Sequence, residues 1–473
     1  MVEDDDGTRV IGVFLEGLPA GEGRRFVEVA RRAAAKGKTI LMFKVARSEQ
    51  GQAAARSHTA ALIGKDAVYD GALRQCNVIR VTDMDDLWEA GQLFDNQPEA
   101  LNAQGEFGIG FLSNSGGMNS VFVDACGAEG LVLPEIQTHT HDAIAAILAG
   151  RGAPGNPIDA SGQLTKPSLG ELIGLLENDP AISIVGACSI TPSSGKRALE
   201  TAQHMCAAHE KSKRPHFMLW TAASTLHGRP GPETSGFYRV RAAGIPVFFE
   251  AAKCVRALHW LREHSQRRRG MLAEANAPAS LHAGAVAAPA ALPADFLAGM
   301  DMLAKAGIDI ARTVVAAEPT AAESAARQMG YPVVLKIDAP GLAHKAEVGG
   351  VLTGVADAAA LRKGFDTLWQ RTASLGAQRR VLVQEQVGDA VEMILGGMND
   401  PVFGPVVMLG TGGIFVELMD DAVFRVAPVD AATVRDMLSQ LRGAKLLAGA
   451  RGAAPRDVDA LIAERERRAR QFS

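Results

Sequence analysis

From Val10 onward, short β-branched runs alternate with helical stretches, a rhythm few folds accommodate. Val10–Leu15 reads as a strand, Arg24–Ala35 as a helix and Thr39–Phe43 as a strand. Lys65–Cys76 follows as a helix and Val78–Val81 as a strand. Such alternation calls for a parallel sheet with helices on its faces. The pattern restarts at Phe107–Leu112, where a Gly-rich turn (Ser113-Asn114-Ser115-Gly116-Gly117) leads into a helix to about Cys126. Further strand signals stand at Ile182–Val185, His216–Leu219 and Ile245–Phe249. Two small doubly wound domains, 1–98 and 99–269, are expected. Residues 270–292 turn Ala- and Pro-rich without periodicity and read as a linker.

After the linker the style changes. Helices are expected at Phe296–Ala306 and Ala322–Met329, then a strand at Val333–Ile337, then a Gly-rich segment. A series of strands spans Val381–Ala427, and two helices follow, around Ala432–Leu441 and Pro455–Arg470. This α+β portion, 293–473, completes a chain of 473 residues, long enough for roughly three domains.

Composition narrows the function. A net charge of −4 gives no electrostatic footprint for nucleic acid, and Arg267-Arg268-Arg269 reads as a solvated helix end. No apolar run is long enough to cross a bilayer, and the acidic start Met1–Arg9 lacks the apolar core of a signal peptide. The five cysteines are scattered, with no CxxC, and read as reduced, mostly buried thiols of a cytoplasmic protein.

Several residues can carry chemistry. His58, in Arg56-Ser57-His58-Thr59-Ala60, has small neighbours that leave its imidazole room for a bulky partner. A nucleophilic His needs one ring nitrogen free and the other fixed by an acceptor. Glu16, after the first strand, is a candidate acceptor, because loops at the carboxyl ends of parallel strands form the ligand crevice. Taken alone, His58 reads more readily as a capping or surface residue. Gly116 and Gly117 open a helix and present backbone N–H groups to an anion; a plain tight turn uses the same residues. Asn156-Pro157-Ile158-Asp159 either lines that crevice or forms a turn.

In the last portion, Lys336 ends an apolar strand, where it can reach a nucleotide phosphate or simply lie in solvent. Glu385-Gln386-Val387 can offer backbone groups to an adenine edge. Glu392 and Glu417 are carboxylates on otherwise apolar strands, where an unpaired charge is costly. Magnesium bound to phosphates would resolve that cost, and so would salt bridges to Arg425.

Taken in order, these strings resemble the ADP-forming acyl-CoA synthetases, relatives of succinyl-CoA ligase. They are Phe14-Leu15-Glu16-Gly17, Ser57-His58-Thr59, Asn114-Ser115-Gly116-Gly117, Asn156-Pro157-Ile158-Asp159, His344-Lys345-Ala346-Glu347-Val348-Gly349-Gly350-Val351 and Gly412-Gly413-Ile414-Phe415-Val416-Glu417. The resemblance covers nearly the whole chain. It implies two flavodoxin-like, succinyl-CoA-synthetase-like α/β domains followed by an α+β ATP-grasp domain. It implies an acid–thiol ligase using ATP, Mg²⁺ and coenzyme A as co-substrate, with a small carboxylic acid as substrate and a homo-oligomeric state. On this resemblance His58 takes the phosphoryl group, Glu16 orients it, and Gly116 and Gly117 bind the phosphate. Lys336, Glu385, Gln386, Val387, Glu392 and Glu417 form the ATP and metal site. His344 matches a second histidine that carries phosphate between sites.

Two departures stand out. Ala60 replaces the family's usual Gly, and Met1 falls where the family's N-terminal CoA-binding domain would already have ended. The expectation is therefore either a separate CoA-binding subunit, or a truncated or regulatory nucleotide- or acyl-CoA-binding module without complete ligase activity.

Overall fold

The computed structural model describes residues 2–56, 65–96, 100–101, 105–161, 166–221, 235–275, 296–305, 307–340, 342, 345–376, 378–388, 390–412, 421–449 and 454–462. The chain forms two compact units: Met1–Ser280 with Asp400–Gly404, and Leu281–Asn399 with Pro405–Ser473.

The first unit holds two parallel sheets. In the first, β1 (Val10–Leu15), β2 (Thr39–Lys44) and β3 (Ile79–Arg80) lie in that order. They are linked through α1 (Gly23–Ala35), α2 (Glu49–Arg56) and α3 (Asp66–Gln75), and α4 (Met84–Asn96) follows. On α1 the small side chains Ala30, Ala33 and Ala34 are buried with Val27, so helix and sheet approach closely.

The second sheet contains β4 (Ile109–Ser113), β5 (Ile158–Asp159), β6 (Ile184–Ser189), β7 (His216–Trp220) and β8 (Val247–Phe248). Its order is β5-β4-β6-β7-β8, all parallel. The helices are α5 (Gly116–Ala128), α6 (Thr138–Leu148), α7 (Ser168–Asn178), α8 (Lys196–Lys211), α9 (Gly236–Ala242) and α10 (Ala251–Ala275). This is the doubly wound order 2-1-3-4-5, whose switch point falls between β4 and β6. Phe111, Phe122 and Phe217 stack in its core, and a Cβ at Gly186 would lie 2.0 Å from the Phe217 ring.

Leu41, Leu93 and Phe94 from the first sheet share one buried cluster with Phe111, Phe122, Leu258 and Leu261. The division expected near residue 98 thus separates two sheets that pack around a common core. Helix α10 runs to Ala275, past the expected end at residue 269: Gly270 is carried inside the helix, and no proline follows it before Ala275. Arg267, Arg268 and Arg269 consequently lie inside the helix and not at its end. Residues 276–292 of the expected linker lie outside the described residues.

The second unit begins with α11 (Phe296–Lys305). Its first sheet is antiparallel, ordered β11 (Val351–Val355), β10 (Val333–Asp338), β12 (Arg380–Glu385), β9 (Thr313–Ala316). Helices α12 (Pro319–Met329) and α13 (Ala358–Arg371) pack on it through Ala322, Ala326, Leu361 and Leu368. Asp357 caps α13 by accepting from the Ala360 amide at 2.8 Å. A second sheet has the order β13 (Met393–Asp400), β14 (Gly404–Thr411), β15 (Ala422–Val426), followed by α14 (Ala431–Gln440) and α15 (Ala444–Leu447). Of the helix expected over 455–470, residues 458–462 are helical and 463–473 lie outside the described residues.

Candidate functional site

In the first unit, Glu16 directly follows β1, at the carboxyl edge of the parallel sheet. Leu15 stands in register with Lys44, the last residue of β2. Lys44 has 1% of its surface exposed, yet its ammonium finds only modest compensation. Nζ donates to the Val45 carbonyl at 2.6 Å and sits 4.8 Å from the Tyr69 ring centroid. Burial depresses its pKa, while Asp66 opposes the shift. Tyr69 is itself buried, and its hydroxyl accepts from the Leu18 amide at 2.9 Å. Lys44 and Tyr69 therefore brace both the turn that carries Glu16 and the start of the segment after β2. On the other side of α3, Arg80 donates to Asp66 at 2.6 Å and pairs with Asp70. His58 lies outside the described residues.

At the switch point of the second sheet, Ser113 closes the turn by donating to the Ser115 carbonyl at 2.6 Å and accepting from its amide at 3.0 Å. Ser115 caps α5, accepting from Met118 at 3.4 Å. Among the described residues the Gly116 and Gly117 amides have no hydrogen-bond partner and stay available at the positive end of α5. Asn114 accepts from the Ile190 amide at 3.2 Å, tying the loop after β4 to the loop after β6. Asp159 approaches closely: its Oδ2 would lie 3.2 Å from a Cβ on Gly116. Asn156, by contrast, does not line the crevice. Its amide clamps β4, accepting from Phe111 N at 3.0 Å and donating to Ile109 O at 2.9 Å and Pro134 O at 3.0 Å.

In the second unit Lys336 lies half-buried on β10, and its Nζ donates to Gln384 Oε1 at 2.6 Å. Gln384 in turn donates to Thr313 Oγ1 at 2.8 Å. Burial depresses the Lys336 pKa, the charge of Lys345 adds to that, and Glu392 opposes it. Lys345 pairs with Asp338 at 3.2 Å and lies 3.8 Å from the Phe296 ring centroid.

The side chains of the expected adenine-facing stretch are already engaged. Arg312 donates to Glu385 at 2.6 Å and holds that carboxyl below its ordinary range. The Glu385 amide bonds to the Arg312 carbonyl at 3.0 Å, and Gln386 accepts from the Gly354 amide at 2.6 Å. What this stretch can offer a ligand is the backbone of Gln386 and the exposed Val387.

Glu392 is exposed, and its carbonyl accepts from Gly412 N at 2.7 Å. A Cβ on Gly412 would stand 2.6 Å from that of Glu392, so glycine is what lets the two backbones meet. Asp421 anchors the far side, accepting from Thr411 Oγ1 at 2.8 Å, Arg442 N at 2.7 Å and Gly443 N at 2.9 Å. Burial raises its pKa, but these donors together outweigh it and hold the carboxyl low. Arg425, the alternative partner for the carboxylates, pairs with Asp436 and donates to the Phe424 carbonyl at 2.7 Å. Glu417 and His344 lie outside the described residues.

Sequence reasoning does not reach Lys44, Tyr69 or Asp421. Lys44 left a signal: with Ile40 and Met42 it continues the same strand parity. Among the described residues, no helix is long and apolar enough to cross a membrane.

A parallel α/β unit with free amides at a switch point and an antiparallel unit with a lysine–glutamine pair are, each by itself, ingredients of a phosphoryl-transfer enzyme. Residues 1–94 match the family described as a succinyl-CoA ligase like flavodoxin domain, and 295–464 the family described as an ATP-grasp domain. The chain is 29% identical over 473 residues to the ADP-forming acetate–CoA ligase I of Archaeoglobus fulgidus, covering 97% of this chain and 64% of that protein. It is 29% identical over 466 residues to the ADP-forming 4-hydroxybutyrate–CoA ligase of Nitrosopumilus maritimus, covering 95% and 64%. It is 35% identical over 158 residues to the beta subunit of the ADP-forming acetate–CoA ligase I of Pyrococcus furiosus, covering 33% and 68%. The chain belongs to the ADP-forming acyl-CoA synthetase family. It spans about 64% of the length of the first two of these relatives.

Proposed function

We propose that this chain is the phosphohistidine and ATP-binding part of an ADP-forming ligase that joins a small carboxylic acid to coenzyme A. The geometry that supports this most directly is Glu16 and the free Gly116–Gly117 amides, each at the carboxyl edge of a parallel sheet in one unit.

A carboxylate is a poor acyl donor. In this reading the γ-phosphoryl group of ATP passes to the His58 imidazole, breaking the bond to the bridging oxygen and leaving ADP. The acid's carboxylate then attacks phosphorus, freeing His58 and forming an acyl phosphate. The CoA thiol, giving up its proton, attacks the acyl carbon and expels inorganic phosphate. Glu16 accepts a hydrogen bond from the ring nitrogen that does not carry the phosphoryl group, and Gly116 and Gly117 donate to phosphate oxygens.

In the second unit, Lys336 neutralises a nucleotide phosphate and exchanges Gln384 for it. The backbone of 386–387 meets the adenine edge, and Arg312 fixes Glu385 at the start of that stretch. Glu392 and Glu417 would hold Mg²⁺, which prefers a few carboxylates alongside phosphate oxygens and supplies charge neutralisation there. The exposed Glu392 carboxylate fits that demand for hard oxygen donors. His344 is assigned the carriage of phosphate between sites.

A CoA-binding subunit supplied separately and a homo-oligomeric, cytoplasmic enzyme complete the reading, and the existence of relatives named as alpha and beta subunits supports the first. The test is incubation of the pure chain with Mg²⁺ and γ-labelled ATP. An acid-labile, base-stable label is expected in the wild type and none in His58→Ala. Full labelling of the variant would refute the assignment.

A further inference from the structure

The first unit holds a cavity of about 320 Å³ between α4 on one side and α9 with β8 on the other. It lies at the far edge of the second sheet, where β6 and β7 separate β8 from the switch point. None of the described residues assigned to phosphate chemistry lines it.

Residue spacing builds both walls. Asp85, Trp88 and Glu89 recur at helical spacing and share one face of α4, while Ala90, Leu93 and Phe94 turn into the core. Across the cavity, Phe237 and Arg241 stand one turn apart on α9. Alternation along β8 sends Phe248 into the core that holds Phe94 and leaves Phe249, just past the strand, at the cavity. The Phe237 and Phe249 rings meet with centroids 5.2 Å apart and form an apolar wall.

The charges around the cavity do not cancel one another. Glu89 Oε2 is buried without a hydrogen-bond partner. Lys253 is shared between Asp83 at 3.8 Å and Asp85 at 3.4 Å, and Arg256 pairs with Asp86 at 3.2 Å. Burial raises the Glu89 pKa; Lys253 opposes the rise, and Asp85, Glu250 and Asp86 add to it. Arg241 lines the same cavity, is exposed, and forms no ion pair among the described residues. A buried carboxyl oxygen without a donor is costly. An unpaired guanidinium in the same cavity adds an unmet demand of opposite sign.

We infer that this cavity binds a free α-amino acid with a bulky apolar side chain. The ligand's ammonium group donates to Glu89, its carboxylate accepts from Arg241, and its side chain lies against Trp88, Phe237 and Phe249. A plain amine would face the uncompensated Arg241, and a plain carboxylate would face Glu89 and Asp85. A dipolar ligand answers both charges, and the aromatic faces further favour its cationic end. Ligand sites span about 300–1,000 Å³, so the cavity suits one small metabolite and not a nucleotide or a coenzyme. The inference rests on this cavity alone and stands whether or not the chain is a ligase.

The experiment is calorimetric titration of the full chain with L-phenylalanine and L-leucine. Phenethylamine, 3-phenylpropionate and glycine are titrated beside them, lacking the carboxylate, the ammonium group and the apolar side chain in turn. The same titrations are made on Glu89→Gln, Arg241→Gln and Trp88→Ala, with circular dichroism verifying the fold. The expected result is saturable binding of at least one of the two amino acids by the wild type. Loss of either charge, from ligand or from protein, should weaken that binding by about tenfold or more. Failure of the wild type to bind either amino acid overturns the inference. So does a 3-phenylpropionate affinity equal to that of phenylalanine, or an amino-acid affinity unaltered in folded Glu89→Gln.

Discussion

Gly412 offers the sharpest test of the nucleotide-side geometry, because the expected effect of one methyl group can be sized from the structure. In Gly412→Ala the new Cβ would fall 2.6 Å from Glu392 Cβ, 2.9 Å from its carbonyl carbon and 3.0 Å from its carbonyl oxygen. Ordinary carbon–carbon contact needs about 3.5–4.0 Å, so the strands must part by roughly 1 Å. Two of the three contacts are with backbone, which cannot rotate away, and the 2.7 Å bond from Gly412 N to Glu392 O lengthens with the shift. Overpacking of this kind costs about 1–3 kcal/mol. In a unit of this size, about 2 kcal/mol corresponds to a fall of roughly 4–8 °C in Tm. A carboxylate displaced by about 1 Å is enough to cost roughly a hundredfold in activity. Gly299→Ala on α11 is the control: its Cβ meets nothing within 4 Å, and loss of a helix-interior glycine should stabilise by about 0.5–1 kcal/mol. Scanning calorimetry and Mg-ATP titration of both variants decide the matter. A Gly412→Ala protein as stable as Gly299→Ala, with unchanged Mg-ATP affinity, would show that the Glu392–Gly412 approach does not shape the site.

Three further outcomes are expected. Lys336→Met removes a charged phosphate partner worth about 1.5–3 kcal/mol and should weaken Mg-ATP binding roughly ten- to a hundredfold by calorimetry; equal affinity removes Lys336 from the site. Burial, aided by Arg267 and Arg268, lowers the His264 pKa to about 3. The unfolded chain therefore takes up a proton below about 6.5 that the folded chain refuses. Stability present above that pH is lost as pH falls from 6.5 towards 3, by about 1.4 kcal/mol per pH unit, and His264→Leu should flatten this part of the urea-unfolding profile. An unchanged acid limb in the variant would refute it. Finally, burial pushes Cys76, Cys126 and Cys188 up to about 12 and Cys254 well above the ordinary thiol value. An aromatic disulfide reagent at pH 8 should thus react first with the partly exposed Cys206, and rapid early modification of any of the other four would contradict the packing.

The element succession was legible because its signals are local. Strand β2 is β-branched and apolar, α1 carries small residues at helical spacing, and Ser115-Gly116-Gly117 caps and opens α5, so segment type followed from nearest neighbours. Side-chain engagement was less legible, because it depends on partners far along the chain. Asn156 reads as a turn residue until β4, 45 positions away, is seen to need its amide. Glu385 reads as a free carboxylate until Arg312 is found 73 positions away. Arg425 is a reasonable mate for Glu392 on charge alone, yet Asp436, one helix on, is nearer to hand. The shared core of the two sheets was hidden for the same reason, since no window of sequence contains both Leu41 and Phe111.

Lys44 and Lys336 show the intermediate case. Each stands at or near the end of an apolar strand, and each has its pKa depressed by burial. A solvated lysine would show no such shift. Fold stability alone gives no reason to bury an ammonium with one neutral acceptor, because desolvation of a cation costs several kcal/mol. Well-adapted chains break local rules where function requires it. The rule-breaking features here are Lys44 beneath the Glu16 turn, Lys336 against Gln384, two unbonded amides at α5, and an apolar strand left bare at β1. Three of the four coincide with residues assigned to phosphate chemistry or with their direct supports. The fourth, β1, leads straight into Glu16.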